Sequence, residues 1–370
     1  MKLPFFFLSL IILGVHSAHA EIKLGAVFPM TGNSATFGQE SVNGIKMALE
    51  EINKKGIKGE KIRLIVEDDK GEPVESANGV RKLINVDKVI AILGSVASSN
   101  TLAGAPIAQE AQVPLLTPAS TNEKVTEMGD FISRICFTDS FQGVVMAKFA
   151  AEKLKAKKAV VIVDSSSDYS KGLAQVFKQK FSSLGGTIVG GDLAYQQKDM
   201  DFRTLLRKTQ RANADVVFLP GYYQEVGLIL NQARKQGITI PFLGGDGWDS
   251  PTLQKLAGDG IKNSYISSHF SSDDQDSQVK SFVEQYSKKY QTRPGAMAAL
   301  GYDSMMVMAD ALQRSKVFTS LALKEAINGT KNFKGVTGTI TLDSKRNAVK
   351  SAVVLKMSPA GESFEEKVRP

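Results

Sequence analysis

The chain has 370 residues, of which 42% are hydrophobic and 23% charged, with 32 glycines, 12 prolines and one cysteine. This composition is typical of a globular protein of about two domains, and it excludes disordered, collagen-like and disulfide-framework classes. The net charge of +8 is scattered along the sequence, which indicates a solvated surface and no nucleic-acid partner.

Residues 1–20, MKLPFFFLSLIILGVHSAHA, have the three regions of a secretory signal peptide. An early lysine precedes the apolar run 5–15, which is too short to span a bilayer, and the small-x-small site Ala18-His19-Ala20 follows. Cleavage after Ala20 predicts a mature chain that begins at Glu21. Because no cysteine lies near that junction, we expect a periplasmic protein without a lipid anchor.

Removal of this leader leaves His269 as the single histidine. A Ser-His-Asp or Cys-His site would have to be built around that residue, and metal-ligand spacing of Cys and His is absent from the sequence. Neither GxGxxG nor GxxxxGK[ST] occurs to hold a nucleotide. We therefore expect His269 to be a surface or packing residue, and the protein to have no catalytic residues, metal or cofactor.

Eight short apolar runs predict strands, at 22–28, 62–66, 89–93, 113–117, 159–163, 188–193, 216–219 and 240–243. Amphipathic helical patterns lie between them, and such an alternation is typical of a doubly wound α/β fold with parallel sheets covered on both faces. One series ends near residue 139 and a second near residue 269. Two helical patterns (278–290 and 296–313) and two strand patterns (337–342 and 348–356) follow.

Polar or aromatic segments follow five of these strands, where open α/β sheets bind their ligands. Segments 94–101 and 118–122 are rich in hydroxyl groups, and the first precedes a helix, so they could bind the negative group of a ligand. The alternative explanations are helix capping for the first segment and ordinary loop polarity for the second. Tyr169 and Tyr222 come after later strands, each at a helix start. Asp246 lies between glycines after strand 240–243, where it is either an ordinary turn residue or a carboxylate that binds a cation. Asp249 is expected to cap the next helix.

Together these segments suit a small zwitterion, with a carboxylate held by hydroxyl and N–H groups and an ammonium held by an acid and carbonyl oxygens. The aromatic rings would close over the rest of the ligand. Because the sequence offers no nucleophile–base pair, it indicates a site that binds without reacting.

The sequence resembles the Leu/Ile/Val-binding protein family, periplasmic solute-binding proteins that deliver branched-chain amino acids to ABC transporters. The resemblance extends from residue 22 to about 355 and is carried by LGAVFPMTGNSATFGQESVNGIKMALEEINKKGIKG, GSVASSNT, PLLTPASTNEKVT, DSSSDYSKGLAQVF, PGYYQEVGLILNQARKQG, PFLGGDGWDS and ALGYDS. It implies the type I periplasmic binding protein fold, two Rossmann-like lobes joined by a three-crossover hinge. Lobe 1 would be 21–139 plus 270–342, and lobe 2 would be 140–269 plus 343–370.

The resemblance also implies a set of ligand contacts. Ser98 would bind the ligand carboxylate, Ala119 and Thr121 would hold the amino-acid head group, and the two lobe-2 aromatics would close on the ligand. An acid would receive the α-ammonium, here an aspartate in place of the glutamate of the best-known members. Two further aromatics would line the side-chain pocket. The full predicted set is Ser98, Ala119, Thr121, Tyr169, Tyr222, Asp246, Phe37 and Tyr302.

We therefore expect a non-enzymatic, monomeric component of an ABC importer that captures a free amino acid, branched-chain or otherwise apolar, and passes it to a membrane permease. Alternatives are a binding protein for a short amide, urea or an aromatic acid, and a sensory ligand-binding module. The acid at Asp246 favours a ligand with an ammonium group over a plain carboxylic acid.

Overall fold

The computed structural model describes residues 21–370; the predicted signal peptide and its cleavage site lie outside the described residues. The strands are β1 (Ile22–Phe28), β2 (Ile62–Asp68), β3 (Ala91–Gly94), β4 (Leu115–Thr117), β5 (Ile132–Arg134), β6 (Lys158–Asp164), β7 (Thr187–Ile188), β8 (Leu193–Tyr195), β9 (Val216–Phe218), β10 (Phe242–Gly244), β11 (Ser264–Ser268), β12 (Phe333–Gly335), β13 (Gly338–Ile340), β14 (Ala352–Ser358) and β15 (Gly361–Val368). The α-helices are α1 (Ala35–Lys55), α2 (Pro73–Lys82), α3 (Ser98–Glu110), α4 (Lys124–Glu127), α5 (Asp139–Lys148), α6 (Asp168–Ser183), α7 (Arg203–Arg211), α8 (Tyr223–Lys235), α9 (Pro251–Ala257), α10 (Ser277–Tyr290), α11 (Ala296–Arg314) and α12 (Ser320–Asn328).

The strands form two main sheets. The first is parallel, with the order β2-β1-β3-β4-β5. The second has the order β15-β14-β11-β10-β9-β6-β7, with β8 also paired to β6. Its inner strands are parallel, while β14 and β15 extend its edge in antiparallel pairing. Most residues of β1 and β6 are buried, as expected for apolar strands covered by helices on both faces.

The helices that follow the second sheet pack back onto the first lobe. Helix α11 lies so close to α1 that a Cβ on Gly44 would be 2.0 Å from the Ala298 carbonyl oxygen. A Cβ on Gly301 would be 2.1 Å from the Ser41 carbonyl oxygen, so each helix needs a glycine at the crossing. Helix α12 is tied to the same lobe by Lys324, whose Nζ lies 2.9 Å from Asp130 Oδ2.

The chain therefore passes between the two sheets three times, through residues 135–138, 269–276 and 341–351. Three short crossings are the expected geometry of a hinge between two lobes. The exact lobe boundaries stay a prediction. Within residues 21–370, no helix is both long enough and apolar enough to cross a membrane.

The predicted strand 188–193 is wrong as a single element. It is divided into β7 and β8, because Gly190 and Gly191 between them adopt φ values of +85° and +70°, outside the extended region. Four strands carry too little apolar pattern to be predicted. These are the short β5, which includes a buried arginine, the serine-rich β11, the three-residue β12 and the edge strand β15, which has no buried residue.

Candidate ligand-binding site

A small cavity lies between the two lobes, at the carboxyl ends of the central strands. Residues of both lobes line it: Phe37, Val96, Ser98, Ala119, Tyr169, Tyr222, Asp246, Gly247 and Met297. Six of the eight predicted residues belong to this wall. They come from loops far apart in sequence, and they meet because parallel strands end at the same edge of their sheets.

On the first lobe, Ser98 opens helix α3, which has 13 residues and no side-chain cap. Its Oγ accepts a hydrogen bond from the backbone N–H of Asn122 at 3.3 Å. The Ser98 hydroxyl hydrogen has no acceptor among the described residues, so the group can donate into the cavity. The unpaired N–H groups and the positive end of the helix dipole make this part of the wall suited to an anion.

The loop 118–122 forms the neighbouring part of the wall, and hydrogen bonds from Arg134 stabilise it. This arginine is fully buried, and its guanidinium donates to the carbonyl oxygens of Ser120 and Asn122, both at 2.7 Å. Ala119 reaches the cavity. Thr121 is buried in the same loop but is not part of the cavity wall, and its Oγ1 has no hydrogen-bond partner within residues 21–370.

Aromatic rings from both lobes close the cavity. Tyr169, in the first turn of α6, stacks on Tyr222, which precedes α8, with ring centroids 5.2 Å apart. Phe37 from α1 meets Tyr222 edge-on at 6.1 Å. The Tyr169 hydroxyl accepts a hydrogen bond from the Gly247 N–H at 3.2 Å. Burial raises the pKa of both tyrosines well above the usual range, so both hydroxyls stay protonated.

Asp246 supplies the carboxylate of the site. It opens the short 3₁₀ turn Asp246–Trp248 after β10, and this turn is anchored by Trp248, whose Nε1 donates to the Leu219 carbonyl oxygen at 2.9 Å. Gln142 Nε2 donates to Asp246 Oδ1 at 3.1 Å, and His269 Nε2 lies 3.0 Å from Oδ2. The side chain is only 4% exposed, so water has little access to the carboxylate. Its orientation is therefore set by these two contacts with protein groups.

Tyr302 is not brought to the cavity. Its ring lies against Phe282 with centroids 5.1 Å apart, and its hydroxyl donates to Glu51 Oε2 at 2.9 Å. The residue of α11 that reaches the cavity is Met297, five positions earlier. Five residues of an α-helix turn the side-chain direction by about 140°, so these two side chains leave the helix on different faces.

The expectation that Asp249 caps a helix is wrong. The cap of α9 is Ser250, whose side chain accepts from the Thr252 N–H. Asp249 is buried instead, and its Oδ2 accepts from Ser268 Oγ at 2.6 Å. Its other oxygen lies 3.4 Å from the N–H of Ala296, at the start of α11. Asp249 thus joins the second lobe to a helix of the first.

Several residues of the site escape prediction from the sequence. Val96, Gly247 and Met297 line the cavity but belong to types common in any core. Arg134 carries one signal that could have been used, a charge within the largely apolar segment 131–137, FISRICF. His269 carries another, as the single histidine after the leader; it is buried, not on the surface, and it contacts Asp246.

Among residues 21–370, no group of three or more His, Cys, Asp or Glu side chains is arranged to hold a metal ion. The groups that converge on the cavity are hydroxyls, backbone N–H groups, one carboxylate and apolar or aromatic side chains. Such a set can hold a small molecule that carries both a negative and a positive group.

Two α/β lobes joined by three crossings, with a cavity lined by both, define a two-lobed solute-binding protein. The sequence model of the family described as periplasmic binding protein matches residues 21–361, and the chain belongs to this family. The resemblance found in the sequence motifs is confirmed, and so is the α/β fold with two lobes.

Individual relatives cover the chain to different extents. It is 40% identical to a leucine binding protein, LivK, from Thermotoga maritima, with a TM-score of 0.91 over 94% of this chain and 99% of that chain. The substrate binding protein LivJ of a branched-chain amino acid transporter from Streptococcus pneumoniae, solved with isoleucine, is 35% identical, with a TM-score of 0.88 over 95% and 100%. An amino acid binding protein of Pseudomonas aeruginosa is 36% identical over 65% of this chain and 64% of that protein.

Proposed function

We propose that this protein is the substrate-binding component of an ABC importer and captures an apolar α-amino acid, with a branched-chain side chain, between its lobes. One observation carries this proposal: the Asp246 carboxylate and the N-terminus of α3, with the hydroxyl of Ser98, line the same cavity. The similarity to proteins described as binding leucine and isoleucine supports the same ligand class. The protein acts by binding and delivery, without catalysis.

The polar wall fits the head group of an amino acid. The ligand carboxylate accepts hydrogen bonds from the Ser98 hydroxyl and from the unpaired backbone N–H groups at the start of α3. The α-ammonium donates to Asp246. A charge-assisted hydrogen bond of this kind in a buried site is stronger than a neutral one, so it selects ligands with both groups.

The remaining wall fits the ligand side chain. Phe37, Val96 and Met297 are apolar and buried, and they lie on the first-lobe side of the cavity. Burying a side chain such as that of leucine against them contributes about 1.5–3 kcal/mol. A charged or strongly polar side chain would lose its hydration there without gaining a partner, so the pocket disfavours it.

Urea, a short amide or an aromatic acid would leave the Asp246 carboxylate buried without a cation, and this cost argues against them. A sensory module would bind the same ligand but would not deliver it to a permease. We further propose that residues 1–20 are removed during export, and that the mature protein works in the periplasm as a monomer and docks on its permease.

The test combines a ligand screen with one charge-removing variant. A thermal-shift screen of all amino acids, simple amides, urea and aromatic acids is expected to show stabilisation by leucine, isoleucine or valine, of about 2.7 kcal/mol at 100 times Kd. Asp246→Asn keeps the shape of the side chain and removes its charge. Loss of one partner of a buried charge pair costs about 2–5 kcal/mol, so calorimetric titration is expected to show affinity lower by about 30- to 4,000-fold.

The matched control is Asp259→Asn, on the same lobe but with a side chain that is 81% exposed and paired only to Lys262. We expect it to bind as the wild type does. Binding by Asp246→Asn within threefold of wild type would show that no ammonium is received there. Stabilisation by an amide or an aromatic acid alone would establish the alternative ligand class.

A further inference from the structure

His269 occupies a position between the binding site and the hinge. It directly follows β11 and begins the second crossing, 269–276. Its side chain is fully buried, and its ring stacks on Phe137 with centroids 3.6 Å apart and an interplanar angle of 24°. Phe137 belongs to the first crossing, 135–138, so this ring pair links two crossings, and Nε2 of the same imidazole reaches Asp246 Oδ2 at 3.0 Å.

The contact defines which nitrogen of His269 carries the proton. Burial lowers the pKa of His269, which favours the neutral imidazole with a single N–H group. An ionised carboxylate only accepts hydrogen bonds, so the proton belongs on Nε2. The reverse tautomer would place a lone pair against Oδ2, and its N–H on Nδ1 would have no acceptor within residues 21–370.

The other carboxylate oxygen is fixed from a different direction. Gln142 donates from Nε2 to Asp246 Oδ1, and its own amide is oriented by Ser267 Oγ, which donates to Gln142 Oε1 at 3.0 Å. The carboxylate is therefore held by two neutral donors, one on each oxygen. Neutral donors orient the carboxylate without cancelling its charge, whereas an imidazolium would take the place of the ligand's ammonium as the counter-charge.

We propose that His269 is a positioning residue for ligand binding: through Nε2–H it holds the Asp246 carboxylate in the orientation that receives the α-ammonium of the ligand. This inference rests on the proposed function, because it assumes a ligand with an ammonium group. His269 itself does not line the small cavity, so the proposal gives it no direct contact with a ligand there. Its effect passes entirely through Asp246.

The charge state can be tested without any ligand. Residues 21–370 contain one histidine, so selective ¹⁵N-histidine labelling of the mature protein gives a single pair of ring resonances. We expect the neutral, Nε2-protonated tautomer at pH 7, both before and after ligand is added. An Nδ1-protonated ring or an imidazolium at pH 7 would overturn the proposal.

Two variants and a control test the positioning role. His269→Phe keeps a ring to stack on Phe137 but has no N–H, and we expect leucine affinity to fall by about 10- to 150-fold, the effect of one hydrogen bond to a charged group. His269→Gln keeps an amide donor and is expected to restore most of that affinity. The control, Phe137→Leu, removes the ring stacking but leaves the hydrogen bond, and is expected to change affinity by less than fivefold.

A double variant separates positioning from a general loss of structure. In an Asp246→Asn background, His269→Phe is expected to have little further effect, because the residue it acts through is already altered. Equal affinity of His269→Phe and wild type, or an undiminished effect in the Asp246→Asn background, would show that the proposal is wrong. If the wild-type protein binds no α-amino acid, the proposed function fails instead, and the ¹⁵N spectrum still reports the tautomer of His269.

Discussion

Glu40 and Asp249 bring two carboxyl groups together across the cleft, one on α1 and the other after the turn Asp246–Trp248. A Cβ built on Gly295 would lie 3.2 Å from Glu40 Oε2 and 3.0 Å from Asp249 Oδ1, so both groups converge on the start of α11. Burial and the charge of Asp249 raise the pKa of Glu40 to about 8, and burial raises the pKa of Asp249 to about 6. At neutral pH the folded protein therefore holds a proton on Glu40.

This proton makes stability depend on pH. Glu40 is ionised in the unfolded chain above its ordinary pKa of 4.5 but stays protonated in the folded protein up to about pH 8. In that window the folded state binds more protons, so the group's contribution to stability falls as pH rises, by at most about 1.4 kcal/mol per pH unit. Urea unfolding at pH 5.5, 6.5 and 7.5 is expected to show a shallower fall in stability for Glu40→Gln than for the wild type, because the variant lacks this one contribution.

Glu50→Gln is the matched control, since Glu50 lies on the same helix with a side chain that is 62% exposed. It should leave the pH dependence of wild-type stability unchanged. A Glu40→Gln protein whose stability varies with pH as the wild type's does would show that Glu40 carries no proton in the folded state.

At the scale of the elements, the crossing of α1 and α11 depends on the absence of side chains at its centre. Gly44→Ala places a Cβ 2.0 Å from the Ala298 carbonyl oxygen, which is backbone of the facing helix and cannot rotate away. The helices must then separate, and overpacking of this kind costs about 1–3 kcal/mol. Thermal unfolding of Gly44→Ala is expected to show this loss, although alanine favours an isolated helix.

Lys46→Ala is the control on the same helix, because Lys46 faces solvent and makes no contact at the crossing. We expect its stability to stay within about 0.5 kcal/mol of the wild type. Equal stability of the Gly44→Ala protein and the wild type would mean that α11 does not pack against α1 as closely as the structure places it.

At the scale of the whole molecule, the two lobes contact each other around the cavity through polar side chains. Ser99 Oγ on α3 donates to Asp168 Oδ2 on α6 at 3.1 Å, and Asn122 Nδ2 donates to the Asp168 carbonyl oxygen at 2.8 Å. At the rim, Lys198 Nζ lies 2.7 Å from Glu72 Oε1. These bonds require the lobes to be close together, so we expect each of them to favour the closed, ligand-binding arrangement.

Ser99→Ala tests this expectation without altering the cavity wall. It removes two hydrogen bonds between the lobes, because Ser99 Oγ also accepts from the Asp168 N–H at 3.0 Å. Each bond contributes about 0.5–1.5 kcal/mol, so affinity for the best ligand is expected to fall by about 5- to 150-fold, mainly through faster dissociation. Stopped-flow dissociation measures this rate. Ser183→Ala, at an exposed serine that donates only to Lys180 of its own helix, should dissociate at the wild-type rate.

Small-angle scattering with and without ligand tests closure itself. We expect a smaller radius of gyration at saturating ligand, because only the closed arrangement lets both lobes contact the ligand. If the radius does not change, or if Ser99→Ala dissociates as slowly as the wild type, contacts between lobes do not govern binding.

Much of the site could be predicted from the sequence because the rule that locates it is local. Segments that follow parallel strands lie at one edge of their sheet, so the loops carrying Ala119, Tyr169 and Asp246 could be singled out from strand patterns alone. The fold class follows from the same alternation of apolar strands and amphipathic helices. The resemblance to a known family then indicated single residues within those loops, and six of its eight line one cavity.

Only the tertiary structure decided the remaining contacts, because they depend on which elements become neighbours. Met297, and not Tyr302, faces the cavity, since packing against α1 determines how α11 is rotated. Asp246 and His269 follow the adjacent strands β10 and β11, but the sequence does not state that these strands are paired or that one side chain donates to the other. Local periodicity thus determined the strands, the helices and the polar segments that follow the strands. The pairing of strands and the rotation of helices decided which side chains of those segments contact one another.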